Sequence, residues 1–276
     1  MRVSPLPAPS AGAVESALAA MDSAFSGVPR PVHVDGCRCC SGRVDLSRLL
    51  RTPLNELNGE DLRNYAAQAM TTIGDTAELV WFTPRLLALQ LAGELGLDDE
   101  ALLGTLGLGT LTGWAGRLRE TVCAALGAEL ARRLAEVPSA VDAWLCGLAL
   151  ATGDLGPWLD AVDAGPPALR VAALRFRTWA RRHGAVGRSA FWSGAPEAAA
   201  LAHAWVMREG PEVLVEEPGY FVVFADPGDG LRLVVDRERG AGVLETRERR
   251  LNDDEAAAVW AGDATAARDL ADELWW

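Results

Sequence analysis

The apolar residues of this chain keep a helical period from Asn58 to about Arg208 and abandon it near Glu212. That switch constrains the fold more than any motif in the chain. A 3.6-residue apolar period buries one face of a helix, whereas a two-residue period buries one face of a sheet. After Asn58, a good N-cap residue, Leu62, Tyr65, Ala66, Ala69, Met70 and Ile73 share one helical face, and Gly74 stands where a helix ends. Asp75 is placed to cap a short helix reaching Trp81. Thr83 is placed to cap the next, with Pro84 in its first turn, running to about Leu95. The same logic predicts helices over 98–111, 114–137, 141–151, 156–162, 168–183 and 197–208, and an earlier one over 11–25. Connections this short suit helix bundles and stacked helical pairs.

Beyond Glu212 the apolar runs shorten and become β-branched or aromatic: Val213, Val215, Tyr220 to Phe224, 231–235, then Val243 and Leu244. Gly/Asp/Pro clusters at 226–230 and 239–242 separate them as turns. Three or four antiparallel strands are expected, followed by a helix starting at Asn252, with Glu255 spaced for a capping box. The predicted class is mainly α, a multi-helix bundle or stacked helical pairs with a small antiparallel β element near the C-terminus (α+β overall). The expected divisions are an N-terminal tail, helix and Cys-rich loop (1–45), a helical domain (46–210), and a β-hairpin element with C-terminal helix (211–276).

Composition narrows the chemistry. All 26 basic residues are Arg. Without Lys there is no Walker A loop, no kinase strand Lys, no Schiff base to pyridoxal phosphate and no Ser–Lys dyad. A net charge of −12 disfavours coating of nucleic acid or anionic membrane by the chain as a whole. The first 25 residues lack the continuous apolar core of a signal peptide. The longest uncharged apolar run, 101–116, is short for a membrane span and holds five Gly. Five Cys, three of them clustered, do not resemble a secreted disulfide framework. A cytoplasmic protein is expected, and the Ala, Leu, Gly and Arg bias points to a GC-rich bacterial source.

Three constellations could carry function. In His33-Val34-Asp35-Gly36-Cys37-Arg38-Cys39-Cys40, the spacing of Cys37 and Cys40 lets both thiolates reach one zinc ion, with His33 or Cys39 as a third ligand. The same pair could cycle as a disulfide, or the thiols could be inert; the segment has little apolar content, so a metal would explain its order. The second is an Arg-rich helix. Arg170, Arg177 and Arg181 form one stripe beside the apolar face of Leu169, Ala172, Ala173, Phe176, Trp179 and Ala180. The stripe would hold an acidic partner, a phosphate or an RNA backbone, or be a solvated face neutralised by acids elsewhere. The third is Asp75 with Arg85. A cation in the first turn of a helix opposes the macrodipole, so Arg85 should pair with Asp75 or Glu78 or grip an anion there. Gly107-x-Gly109-x-x-x-Gly113 follows a helix start rather than a strand, which rejects a dinucleotide fold. Cys123 and Cys146 lie in apolar helical patterns and read as core.

The stretch 36–89 resembles an uncharacterised family of bacterial helical proteins. The residues that carry this are the Cys37…Cys40 pair, Leu49-Leu50, Pro53-Leu54, Leu62…Tyr65, Thr72-Ile73-Gly74-Asp75, and Phe82 with Pro84-Arg85-Leu86. Weaker similarity runs through Asp154-Leu155-Gly156-Pro157 and Phe191-Trp192. The resemblance implies an all-helical fold and carries no established activity. This chain departs from it by Cys39 inside the pair and by its β-rich C-terminal third. Val234-Val235-Asp236-Arg237, followed by Gly240, resembles small immunity or toxin-associated modules. The functional expectation is a non-catalytic protein-binding protein, stabilised by zinc if the Cys cluster is a metal site. The alternatives are a toxin-neutralising immunity-type protein and a Cys-dependent redox enzyme.

Overall fold

The computed structural model describes residues 3–37, 46–208, 215–217, 220–224, 232–239, 243–252, 254–255 and 264–274. The helices are α1 (Ala11–Phe25), α2 (Leu46–Arg51), α3 (Gly59–Gln68), α4 (Thr76–Leu91), α5 (Asp99–Leu108), α6 (Gly116–Glu136), α7 (Val141–Thr152), α8 (Gly156–Asp163), α9 (Pro167–His183), α10 (Pro196–Met207) and α11 (Ala264–Glu273). Four strands, β1 (Val215–Glu217), β2 (Tyr220–Phe224), β3 (Arg232–Arg239) and β4 (Val243–Arg250), form an antiparallel sheet in chain order. The class is therefore mainly α with a small C-terminal β element.

The helices form where caps and period place them. Ser10 accepts from Ala13 N at the start of α1. Asn58 and Asp61 make a full capping box on α3. At Asn252, the side chain accepts from Asp254 N and Glu255 N, while Glu255 accepts from Asn252 N, the reciprocal box expected there. The helical part shares one core, with Trp144, Trp158, Trp205, Tyr65, Phe82 and Phe176 among its largest fully buried side chains. α1 lies on α6 and α4, α5 on α7, and α9 on α6, α8 and α10.

Gly107 serves packing. A Cβ there would meet the backbone oxygen of Leu150 at 2.2 Å, so the glycine lets α5 and α7 approach backbone to backbone.

Two helix boundaries differ from expectation. α3 ends at Gln68 rather than Ile73. Thr71, Thr72 and Ile73 all donate backbone N–H groups to Gln68 O, and Met70 takes a left-handed φ of 65°. Ile73 is 1% exposed and pairs its backbone with Gly36 in an isolated antiparallel bridge, which an extended helix would forbid. Conversely, α4 runs through Thr83 and Pro84 without a break. A proline inside a helix costs about 3 kcal/mol. Here Leu79, Trp81, Phe82, Thr83, Pro84, Leu86, Leu87, Leu89 and Gln90 are all buried, so packing on every side outweighs the missing bond. Thr83 caps nothing; its hydroxyl donates back to Leu79 O at 2.7 Å.

The sheet lies where the period changes, and its strands outlast the apolar runs. β3 and β4 pair from Arg232↔Arg250 to Arg239↔Val243. Leu233 and Val235 of β3 are fully buried two residues apart, as one face of a strand requires. β3 packs against α9 and α11, and β4 against α9.

Candidate functional sites

The first site grows from the corner between α3 and α4. Asp75 caps α4: its Oδ1 accepts from Ala77 N at 2.7 Å and Glu78 N at 3.1 Å, and Glu78 Oε2 accepts from Asp75 N in return. Glu78 is 5% exposed, and its second oxygen accepts from Asp35 N at 3.3 Å. Gly74 N donates to Asp35 O at 2.7 Å, and Cys37 N to Thr72 O at 2.9 Å. Gly74 has φ +71°, and a Cβ there would sit 2.7 Å from Glu78 Oε2; glycine permits both the turn and the carboxylate behind it. Tyr65 is fully buried against Phe82, ring centroids 4.4 Å apart, and its hydroxyl is unpartnered. Burial, then the charges of Glu78 and Asp75, push its phenol far up, so it stays neutral. Burial also raises Glu78, against the N–H groups it accepts from.

An arm carrying His33, Val34, Asp35, Gly36 and Cys37 is thus bound to this corner through its own backbone. Val34 is buried, while Cys37 is exposed and His33 stands 3.7 Å from Asp35, both largely in solvent. The arm is held by peptide groups and Glu78, so order up to Cys37 does not require a metal. Cys39 and Cys40 lie outside the described residues, and among those described no three His, Cys, Asp or Glu side chains converge as a metal site.

Arg85 does not join Asp75 or Glu78. Because α4 is continuous, Arg85 lies in its third turn and the macrodipole argument lapses. Its Nε donates to Leu57 O at 2.6 Å, and its charge partly offsets the burial that raises Asp22 of α1. The residue bolts α4 to the chain before α3.

The second site is the arginine stripe of α9, and it is not the solvated face expected. Arg177 is 7% exposed and Arg170 and Arg181 are half-buried; Leu174, on the same stripe, is buried too. Arg177 donates through Nη2 to Arg208 O and stands over Trp205, 5.7 Å from the ring centroid. Among the described residues, Arg170 Nε, Arg177 Nε and Arg181 Nη2 are buried atoms without a hydrogen-bond partner. Burial lowers the pKa of Arg177; Asp163 opposes this, and Arg208 and Arg181 add to it. Asp163 is already engaged, accepting from Trp205 Nε1 at 3.0 Å and Arg208 Nη1 at 2.6 Å.

Two further polar centres escaped sequence reasoning. Asp142, 7% exposed, accepts from Gly187 N, Arg188 N, Ser189 N and Trp192 Nε1 at 2.8–3.1 Å. Glu129, 1% exposed, binds Arg132 and Arg133, and Arg133 reaches Asp99 on α5. Arg133 and Glu129 were visible as an i,i+4 pair, but their burial was not. Both centres are structural: every acid in them is turned on donors from its own chain.

Cys123 and Cys146 are buried, as their apolar patterns suggest. Burial pushes their thiols up to about 11 and about 12, with Glu120 raising the first, and Glu100 and Asp142 the second. Thiolate is the reactive form. Neither thiol should therefore react with a disulfide reagent at neutral pH until the protein unfolds. A native thiol count that includes them, measured against all five in denaturant, would contradict this placement.

Fold and sites define a mainly helical protein with a small antiparallel β element, and among its described residues no helix is long and apolar enough to cross a membrane. Comparison with protein-family models, curated proteins and solved structures gave no match.

Proposed function

We propose that this chain is a non-catalytic, cytoplasmic protein-binding protein whose N-terminal arm is stapled by zinc. The observation that carries the reading is the pinned arm. Its backbone is fixed on the α3–α4 corner, yet it turns His33 and Cys37 outward to solvent. Thiolate and imidazole presented together on a fixed strand of chain suit zinc, and Cys39 and Cys40 follow within reach in sequence. Zinc here would join the arm to the residues after it, giving a rigid knuckle for a partner protein to grip. The internal use of Asp142, Glu129, Asp99 and Asp75 supports binding over catalysis, since each holds donors of its own chain.

Metal analysis of protein purified without chelator tests the staple. One zinc per chain is expected, surviving dialysis and lost in the Cys37→Ser, Cys40→Ser double variant. A metal-free protein with Cys37 and Cys40 joined in a disulfide would replace this reading with the redox one.

A further inference from the structure

We infer that the arginine stripe of α9 is a binding site for a small phosphate- or diphosphate-bearing anion, held between α9 and the C-terminal sheet. The argument begins with uncompensated charge. Arg177 is more than nine-tenths buried and Arg181 follows one turn later; Arg208 is close enough for its charge to be felt at Arg177. The acid near them, Asp163, is committed to Arg208 and Trp205. A buried charge left without a counter-charge is strongly destabilising, and a guanidinium cannot escape by losing its proton. A bound anion removes that cost.

Geometry selects the class of anion. Arg177 and Arg181 are about 6 Å apart along the helix axis and Arg170 about 10.5 Å before Arg177, at 1.5 Å per residue. The first pair can converge on one phosphate, and Arg170 can reach a second charged group of the same ligand. The unpartnered atoms, Arg170 Nε, Arg177 Nε and Arg181 Nη2, are donors of the planar fork that matches phosphate oxygens. Burial selects size. β3 and β4 lie on α9, and these nitrogen atoms are closed to solvent, so a polymer backbone cannot lie along them while a compact ion can. The site is independent of the zinc staple, and its test reads neither metal nor thiol.

The probes are inorganic phosphate, pyrophosphate and a nucleoside diphosphate, titrated into the full chain by calorimetry and thermal unfolding at constant ionic strength. Saturable one-to-one binding is expected, with Tm climbing as the logarithm of anion concentration once the site is filled. Tighter binding of pyrophosphate than phosphate would place Arg170 in the site, and a further gain with the nucleotide would identify the ligand as one carrying a base. Arg177→Gln and Arg181→Gln should each weaken binding at least tenfold, while Arg117→Gln, an exposed change on α6, should leave it as in the parent. If Arg177→Gln fails to fold, Arg181→Gln decides, because that side chain is only half-buried. Parent protein that gives no saturable binding to any probe, or an Arg181→Gln variant that binds as the parent does, overturns the inference.

Discussion

Asp142→Ala is expected to lower the stability of this protein by about 3–5 kcal/mol, the range for stripping a buried charge out of its hydrogen-bonded site. The carboxylate sits in the first turn of α7 and receives four N–H groups from the segment between α9 and α10. Three are backbone amides of consecutive residues, Gly187, Arg188 and Ser189, and the fourth is the indole of Trp192, itself 5% exposed. Removing the carboxylate leaves these donors facing each other around a void. Asn at this position restores one acceptor oxygen but turns an NH₂ group on the remaining donors, so it should recover only part of the loss. Urea unfolding checks both variants. An Asp142→Ala protein within 1 kcal/mol of the parent would show that the loop finds other acceptors.

The next largest effect is expected at Glu129. Its two oxygens accept from Arg133 Nε at 2.6 Å and from Arg132 Nε and Nη2 at 2.8 and 2.7 Å. Arg133 also reaches Asp99, which accepts from Gln90 Nε2 at 2.8 Å, and lies 4.2 Å from the Trp144 ring centroid. The network thus joins α4, α5, α6 and α7 through a place water does not enter. Glu129→Ala should cost about 3–5 kcal/mol, because Arg133 keeps its charge and loses its nearest acid. Arg132 is 23% exposed and partly served by Glu136, so Arg132→Ala should cost about 1 kcal/mol or less. Equal losses for the two variants, again by urea unfolding, would contradict a buried network centred on Glu129.

Much of the architecture was legible along the chain, for local reasons. Asn58, Asp75 and Asn252 with Glu255 announce helix starts because a short polar side chain reaches amides two or three residues on, whatever the rest of the protein does. The period change near Glu212 announced the sheet because side-chain alternation is a property of the strand itself. Where the local reading failed, neighbours had overruled it. Pro84 reads as a helix start until α4 is seen buried around its whole circumference, and Ile73 reads as helix until Gly36 is seen paired to it.

The candidate sites divide in the same way. The sequence by itself determined the residue types: a Cys and His cluster, and six arginines on and after one helix in an acidic protein with no lysine. Only the tertiary structure decided their environments. It pinned the arm of His33 and Cys37 through Glu78, a residue 41 positions beyond Cys37 that no spacing rule would have chosen. It also placed β3 and β4, about 50 residues downstream, against the helix whose arginine stripe read as solvent-facing. Helical period fixes which residues share a face, because it follows from backbone geometry alone. Whether that face meets water or another element depends on contacts between residues far apart in the chain, and those exist only once the whole chain has packed.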